Sequence, residues 1–211
     1  MRQKIQLIIK SINRRSLVDA VRSAVREGFE PIVTYDGDEL PDTTLTLHNA
    51  DLDYIDYIGM PMAWGSYGFM AANNAICQSN ADYIMFLDDD DELVEGAGDI
   101  IRDYLNNNDP DILIPGIRFK EEIQVNFSGT LITGTDLCVD QRYGIRPGNV
   151  AMAIYKQEIF REVPFKEYAK PEYSDFQHIS ECVAHKYKVD FLGKVLYLVR
   201  PKMEGTNGRG K

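Results

Sequence analysis

The chain has 211 residues, 44% of them hydrophobic and 27% charged, which is enough apolar material for one buried core and too much for a disordered chain. A formal net charge of −10 excludes the broad basic footprint of a duplex-binding module and opposes adsorption to anionic membranes. No long apolar window occurs, so neither a membrane span nor a signal peptide is expected. The three scattered cysteines, Cys77, Cys138 and Cys182, fit free thiols in a reducing, cytoplasmic setting better than a zinc site or disulfide framework.

Ile5 to Ile9 is a nearly continuous apolar run and predicts a buried strand. Leu17, Val18, Val21, Ala24 and Val25 recur at helical spacing, with Ser16 placed to cap and Gly28 to stop. Pro31 to Tyr35 predicts a second strand, ending at Asp36-Gly37-Asp38. A strand–helix–strand start favours a parallel sheet covered by helices. Leu45 to His48 and Tyr54 to Ile58 are short strand candidates, and 59–68 is loop. Phe69 to Gln78 predicts a helix on which Met70, Ile76 and Cys77 are core candidates. Ala81 to Leu87 is a strong strand, and Leu93 to Asn106 has helical spacing.

Beyond residue 109 the pattern loosens. Strands are expected at Asp111 to Pro115, Glu122 to Phe127, Asn149 to Tyr155, Val189 to Leu192 and Val195 to Val199. Helices are expected at Gln157 to Glu162 and Asp175 to His185. The Gly-rich tail from Met203 to Lys211 reads as flexible.

The stretch Tyr83 to Leu93, YIMFLDDDDEL, carries the most chemistry. Four successive carboxylates cannot pack in a core, because a buried unpaired charge is costly. They follow an apolar strand directly and so emerge at its carboxyl end, the edge at which open α/β sheets bind ligands. Closely packed oxygen donors suit Mn²⁺ or Mg²⁺, which also hold phosphate oxygens. The competing reading makes Asp90 or Asp91 the cap of a helix starting near Leu93.

The order of these motifs resembles family 2 glycosyltransferases of the GT-A fold. The carriers are the opening IQLIIKSIN, the strand end Tyr35-Asp36-Gly37-Asp38, the helix Ala71-Ala72-Asn73-Asn74-Ala75-Ile76, and the acidic run. The resemblance is good over residues 4–105 and weaker over 149–200. It implies a Rossmann-like, mixed but mostly parallel sheet flanked by helices in a single domain, 1–211. Within it, 1–108 would form the nucleotide-sugar donor half and 109–211 the acceptor half.

By the same resemblance Asp36 contacts the donor base, and Asp88, Asp89 and Asp90 stand for the family's Asp-x-Asp motif. Asp90 is the expected metal ligand, and Asp88 or Asp89 contacts ribose or a metal-bound water. Asp88 is the second metal candidate, and Ser11, Asn13 and Asn73 are further donor-side candidates. Asp175 matches the catalytic base, which removes a proton from the acceptor hydroxyl. Glu172 is the fallback for that role, and helix capping by Ser174 or Asp175 is the competing one. His178, one turn on, either lines the same cleft or is structural.

Three departures stand out. Ala72 occupies a position where the family commonly has an arginine, so Lys10, Arg14 and Arg15 become candidates for donor contacts. Tyr35 replaces an Asp. No His occurs in the closing VLYLVRPKMEGTNGRGK, where Glu204, Arg200 and Lys202 remain to complete a donor site or lid. Trp64 or Tyr67 can bound the pocket or belong to the core.

The function implied is metal-dependent inverting transfer of a sugar from a nucleotide-sugar, with UDP-sugar the favoured donor, to a hydroxyl acceptor. That acceptor is a glycan, a protein, a small molecule or a modified nucleobase. The alternatives are a catalytically degenerate nucleotide-sugar binding module and a nucleotidyltransferase. The second is weakened because KSINRRS is basic but lacks glycine. Donor sugar, acceptor and oligomeric state are not legible.

Overall fold

The computed structural model describes residues 3–12, 14–35, 47–48, 50–52, 55–59, 68–119, 122–124, 129–131, 152–167 and 174–199. Asn13, Asp36, Trp64, Tyr67, Cys138, Glu172, Arg200, Lys202 and Glu204 lie outside them.

The first part alternates strand and helix: β1 (Ile5–Ser11), α1 (Leu17–Arg26), β2 (Pro31–Tyr35), β3 (Asp56–Gly59), α2 (Phe69–Gln78) and β4 (Tyr83–Asp88). Then come β5 (Asp91–Leu93), α3 (Ala97–Asn108), β6 (Ile112–Phe119), β7 (Glu122–Gln124) and β8 (Gly129–Leu131). The chain continues through β9 (Ile154–Lys156), α4 (Ile159–Glu162), α5 (Ser174–Ala184) and β10 (Val189–Val199). Among the described residues these strands form one sheet, ordered β3-β2-β1-β4-β9-β6-β10-β5, with β7 beside β6 and β8 beside β10. β3, β2, β1 and β4 run parallel, whereas β9 is antiparallel to both β4 and β6.

Side-chain alternation splits the core between the two faces of this sheet. Leu7, Ile9, Val33, Met85 and Leu87 pack with α1 and α3 through Leu17, Val21, Ala24, Ile101 and Leu105. Ile8, Ile84 and Phe86 point the other way, onto α2, α4 and α5 through Phe69, Ala72, Ile76, Phe160 and Ile179. Apolar side chains on both faces explain why β1 and β4 read as continuous apolar runs.

α1 ends as its glycine requires. Gly28 has φ +74°, its N–H donates to the Val25 carbonyl, and the Phe29 N–H donates to Ala24. Ser16 is the cap residue, but its hydroxyl makes no capping hydrogen bond.

Four expectations need correction. Leu47 and His48 are helical and lead into a turn, with the Leu52 N–H donating to the Leu47 carbonyl, so no strand includes them. Leu93 does not start a helix, because Asp91–Leu93 pairs antiparallel with Leu93↔Tyr197 and Asp91↔Val199. The helix begins at Ala97, after Gly96 at φ +80°. The last two expected strands are one, β10, whose register shifts between Leu192 and Tyr197. Cys77 is exposed rather than in the core, although Ile76 beside it is buried.

Candidate active site

The parallel register sets adjacent strand ends side by side. Lys10 of β1 pairs with Asp88 of β4, and Ser11 pairs with Tyr35 of β2, whose next residue is Asp36. By alternation Lys10 follows Ile8, and Asp88 follows Phe86, onto the face that carries α2 and α5. The Lys10 ammonium lies 2.8 Å from Asp88 Oδ1 and 3.6 Å from the centroid of the Phe69 ring. Its side chain is 4% exposed and that of Asp88 is 36% exposed.

Asp89 turns the other way and is almost wholly buried. Its Oδ2 accepts from the Ser11 hydroxyl at 2.9 Å, from the Ile12 N–H at 2.9 Å and from the Arg14 N–H at 3.3 Å. Its Oδ1 accepts from the Arg14 guanidinium at 2.5 Å. Asp89 thus clamps the loop after β1 onto the end of β4, and both of its oxygens are engaged by that loop. The same Arg14 nitrogen lies 3.3 Å from Asp90, and the charges of Asp89, Asp90 and Asp88 together hold the guanidinium firmly protonated against the cost of its burial. Arg15, by contrast, is exposed.

Asp88, Asp90 and Asp91 converge, with one oxygen from each lying within 4.8 Å of the others. Three hard oxygen donors at this separation fit a Mg²⁺ or Mn²⁺ ion. Asp91 was not singled out as a ligand from sequence, although it stands in the same run. It is buried at the start of β5, and after burial its charge is the next cause that keeps the Tyr197 phenol neutral. None of these aspartates caps a helix, because β5 and its turn separate them from α3. The capping alternative is therefore corrected.

Asp175 sits in the first turn of α5 and is buried. Burial pushes its carboxyl up to about 6, and the Asp88 charge adds to this. The Lys10 charge and the backbone N–H groups of Phe176 and Asp175 itself work in the opposite direction. It therefore both accepts first-turn N–H groups and carries a proton affinity suited to exchange near neutrality.

His178 is fully buried and does not line an open cleft. Its Nε2 donates to the Val163 carbonyl at 2.8 Å, and Nδ1 lies 3.9 Å from Cys182 Sγ. The ring packs 4.1 Å from Phe165 and stacks on Phe160. Burial lowers His178 to about 4 and raises the Cys182 thiol to about 12, so both stay neutral.

Asn73 donates its side-chain amide to the Phe165 carbonyl at 2.8 Å, tying α2 to the segment before α5. Ala72, where the resemblance leads to the expectation of an arginine, is fully buried against Ile8 and Phe86. Arg14 and Lys10 from the β1 end supply cations to the acidic run instead.

Residues 7–169 match the family described as glycosyl transferase family 2. A Campylobacter jejuni relative, GalNAc(5)-diNAcBac-PP-undecaprenol β-1,3-glucosyltransferase, is 32% identical over 100 residues, covering 44% of this chain and 32% of that protein. S. aureus TarS, residues 1–349, superposes with a TM-score of 0.68 at 15% identity, over 93% of this chain and 60% of that one. The structure of the same TarS fragment in complex with UDP-GlcNAc also gives 0.68, at 16% identity, over 96% and 60%. The chain spans about a third of the curated relative and three fifths of the TarS fragment. The mixed, mostly parallel sheet flanked by helices is thus of the expected GT-A type. On a match that runs from β1 to beyond α4, the chain belongs to glycosyl transferase family 2.

Proposed function

We propose that this protein transfers a sugar from a nucleotide-sugar to a hydroxyl acceptor with inversion at the anomeric carbon. One observation carries the reading: the buried Asp175 carboxyl, pushed up to about 6, feels the charges of both Lys10 and Asp88. A proton acceptor is therefore held within electrostatic reach of a carboxylate group suited to a diphosphate-bound cation. UDP-sugar is the favoured donor, Mn²⁺ or Mg²⁺ the favoured ion, and no helix among the described residues is long and apolar enough to cross a membrane.

In this reading Asp90, Asp88 and Asp91 hold the ion, and Asp36 meets the donor base. When bound, the ion supplies Lewis-acid neutralisation of the departing diphosphate. Asp89 acts through the β1 loop, which it holds against β4. Asp175 takes the proton from the acceptor hydroxyl as that oxygen attacks the anomeric carbon, and releases it to solvent afterwards. Asn73 supports the packing of α2 on the acceptor side. The curated relative acts on an undecaprenol-linked glycan, which makes a glycan the first acceptor to assay.

The test is incubation with UDP-sugars and Mn²⁺ over a panel of glycan acceptors, comparing wild type with Asp175→Asn and Asp90→Ala. Transfer that is lost in Asp175→Asn with donor binding kept, and donor binding weakened in Asp90→Ala, supports the proposal. Donor binding without transfer or hydrolysis by wild type would instead favour the binding-module alternative.

A further inference from the structure

A lysine at the carboxyl end of a central parallel strand is expected to reach solvent, and Lys10 does not. Three features hold it in. The β1–β4 register puts it beside Asp88, the Phe69 ring covers its ammonium, and Gly68, at φ +79°, leaves room for its stem. A Cβ on Gly68 would stand 3.2 Å from the Lys10 Cβ. Burying an ammonium needs a partner of opposite charge, and here that partner is one of the three carboxylates that converge as a cation site.

We propose that Lys10 is a resident cation that competes with a divalent ion for Asp88. Two positive charges sharing one carboxylate repel each other, and the repulsion is strong where water is excluded. Asp88 keeps partial exposure, and it belongs to the cluster while its Oδ1 is engaged by Lys10. Lys10 is in this sense a positioning residue. It neutralises Asp88 before any ion arrives, keeps that carboxylate from swinging, and weakens the hold on the ion so that ion and product leave more readily.

The inference rests on the metal site proposed above, and the experiment separates the two. Mn²⁺ is titrated into the full chain, alone and with UDP, and followed by calorimetry and by the electron paramagnetic resonance signal of the free ion. Wild type, Lys10→Met, Lys10→Arg and Asp90→Asn are compared. Removing the competing charge should tighten Mn²⁺ on the order of tenfold in Lys10→Met, and Lys10→Arg, which keeps the charge, should stay near wild type. A merely structural lysine predicts the opposite sign, with weaker binding on its loss. Wild-type binding that depends on Asp90, together with unchanged or weaker binding in folded Lys10→Met, overturns this inference alone. No Mn²⁺ binding by wild type or Lys10→Met overturns the metal site and this inference with it. Should Lys10→Met fail to fold, Lys10→Gln, whose amide still donates to Asp88 without charge, carries the same expectation.

Discussion

Asp175 and His178 stand one turn apart on α5, both buried, and burial drives their proton affinities in opposite directions. The carboxyl rises to about 6 and the imidazole falls to about 4. One helix face therefore presents a group poised to exchange protons near neutrality beside one locked neutral.

For Asp175 the folded value is raised above the ordinary 3.8, so its contribution is favourable at low pH and is lost as pH rises toward 6. Above that the fold carries a buried charge. Asp175→Asn should therefore raise stability at pH 7.5 by about 1–3 kcal/mol while abolishing transfer. Urea unfolding at pH 7.5 and pH 4 checks this, and the gain should shrink at the lower pH. In wild type the transfer rate should rise with pH through about 6.

For His178 the folded value is depressed, so its contribution is present above the ordinary 6.5 and is lost as pH falls through that value toward 4. His178→Phe keeps an aromatic ring between Phe160 and Phe165 but leaves the Val163 carbonyl unpaired, at a cost of about 1–3 kcal/mol at pH 7. The variant should lose less stability than wild type between pH 6.5 and 4. Equal acid sensitivity in the two proteins would count against a locked, neutral imidazole.

Asp89→Ala removes the acceptor of four donors at the end of β1 and leaves the Arg14 guanidinium with the longer Asp90 contact alone among its two ion pairs. Breaking a buried pair in this way costs about 3–5 kcal/mol, so the variant should melt well below Asp90→Ala. If instead Asp89→Ala keeps wild-type stability and loses only nucleotide binding, then Asp89 meets the donor directly.

Gly98 lies where α3 meets the end of α1, its N–H donating to the Glu27 carboxylate at 3.1 Å. A Cβ there would stand 2.2 Å from the Glu27 carbonyl oxygen, and backbone cannot yield as a side chain can. Gly98→Ala should destabilise by about 1–3 kcal/mol or more, measured by thermal melting, whereas Gly96→Ala would meet no neighbouring atom and strain only its positive φ.

Much of this molecule is readable from local pattern. Ile5 to Ile9, Pro31 to Tyr35 and Phe69 to Gln78 declare themselves through periodicity and bounding glycines, and the aspartates through their place after an apolar run. What stayed hidden depends on partners distant in sequence. Lys10 looks like an ordinary solvated base until the β4 register brings Asp88 beside it, and Asp89 looks like a ligand until the Arg14 loop folds onto it. β5 escaped notice because Leu93 is in phase with the helix that follows, and three residues carry no period of their own. β10 looked divided because Gly193 and Lys194, both exposed, fall at its register shift.

The place of β9 has a consequence for how the protein comes into being. Residues 154–156 slot between β4 and β6, antiparallel to each, although both of those strands leave the ribosome earlier. Until that late segment emerges, β4 has a bare edge of unpaired amides and carbonyls, and the acidic run stands at the rim of an unfinished sheet. A nascent chain stopped near residue 108 would accordingly be sticky rather than idle. The segments before and after residue 109 thus share a single act of folding.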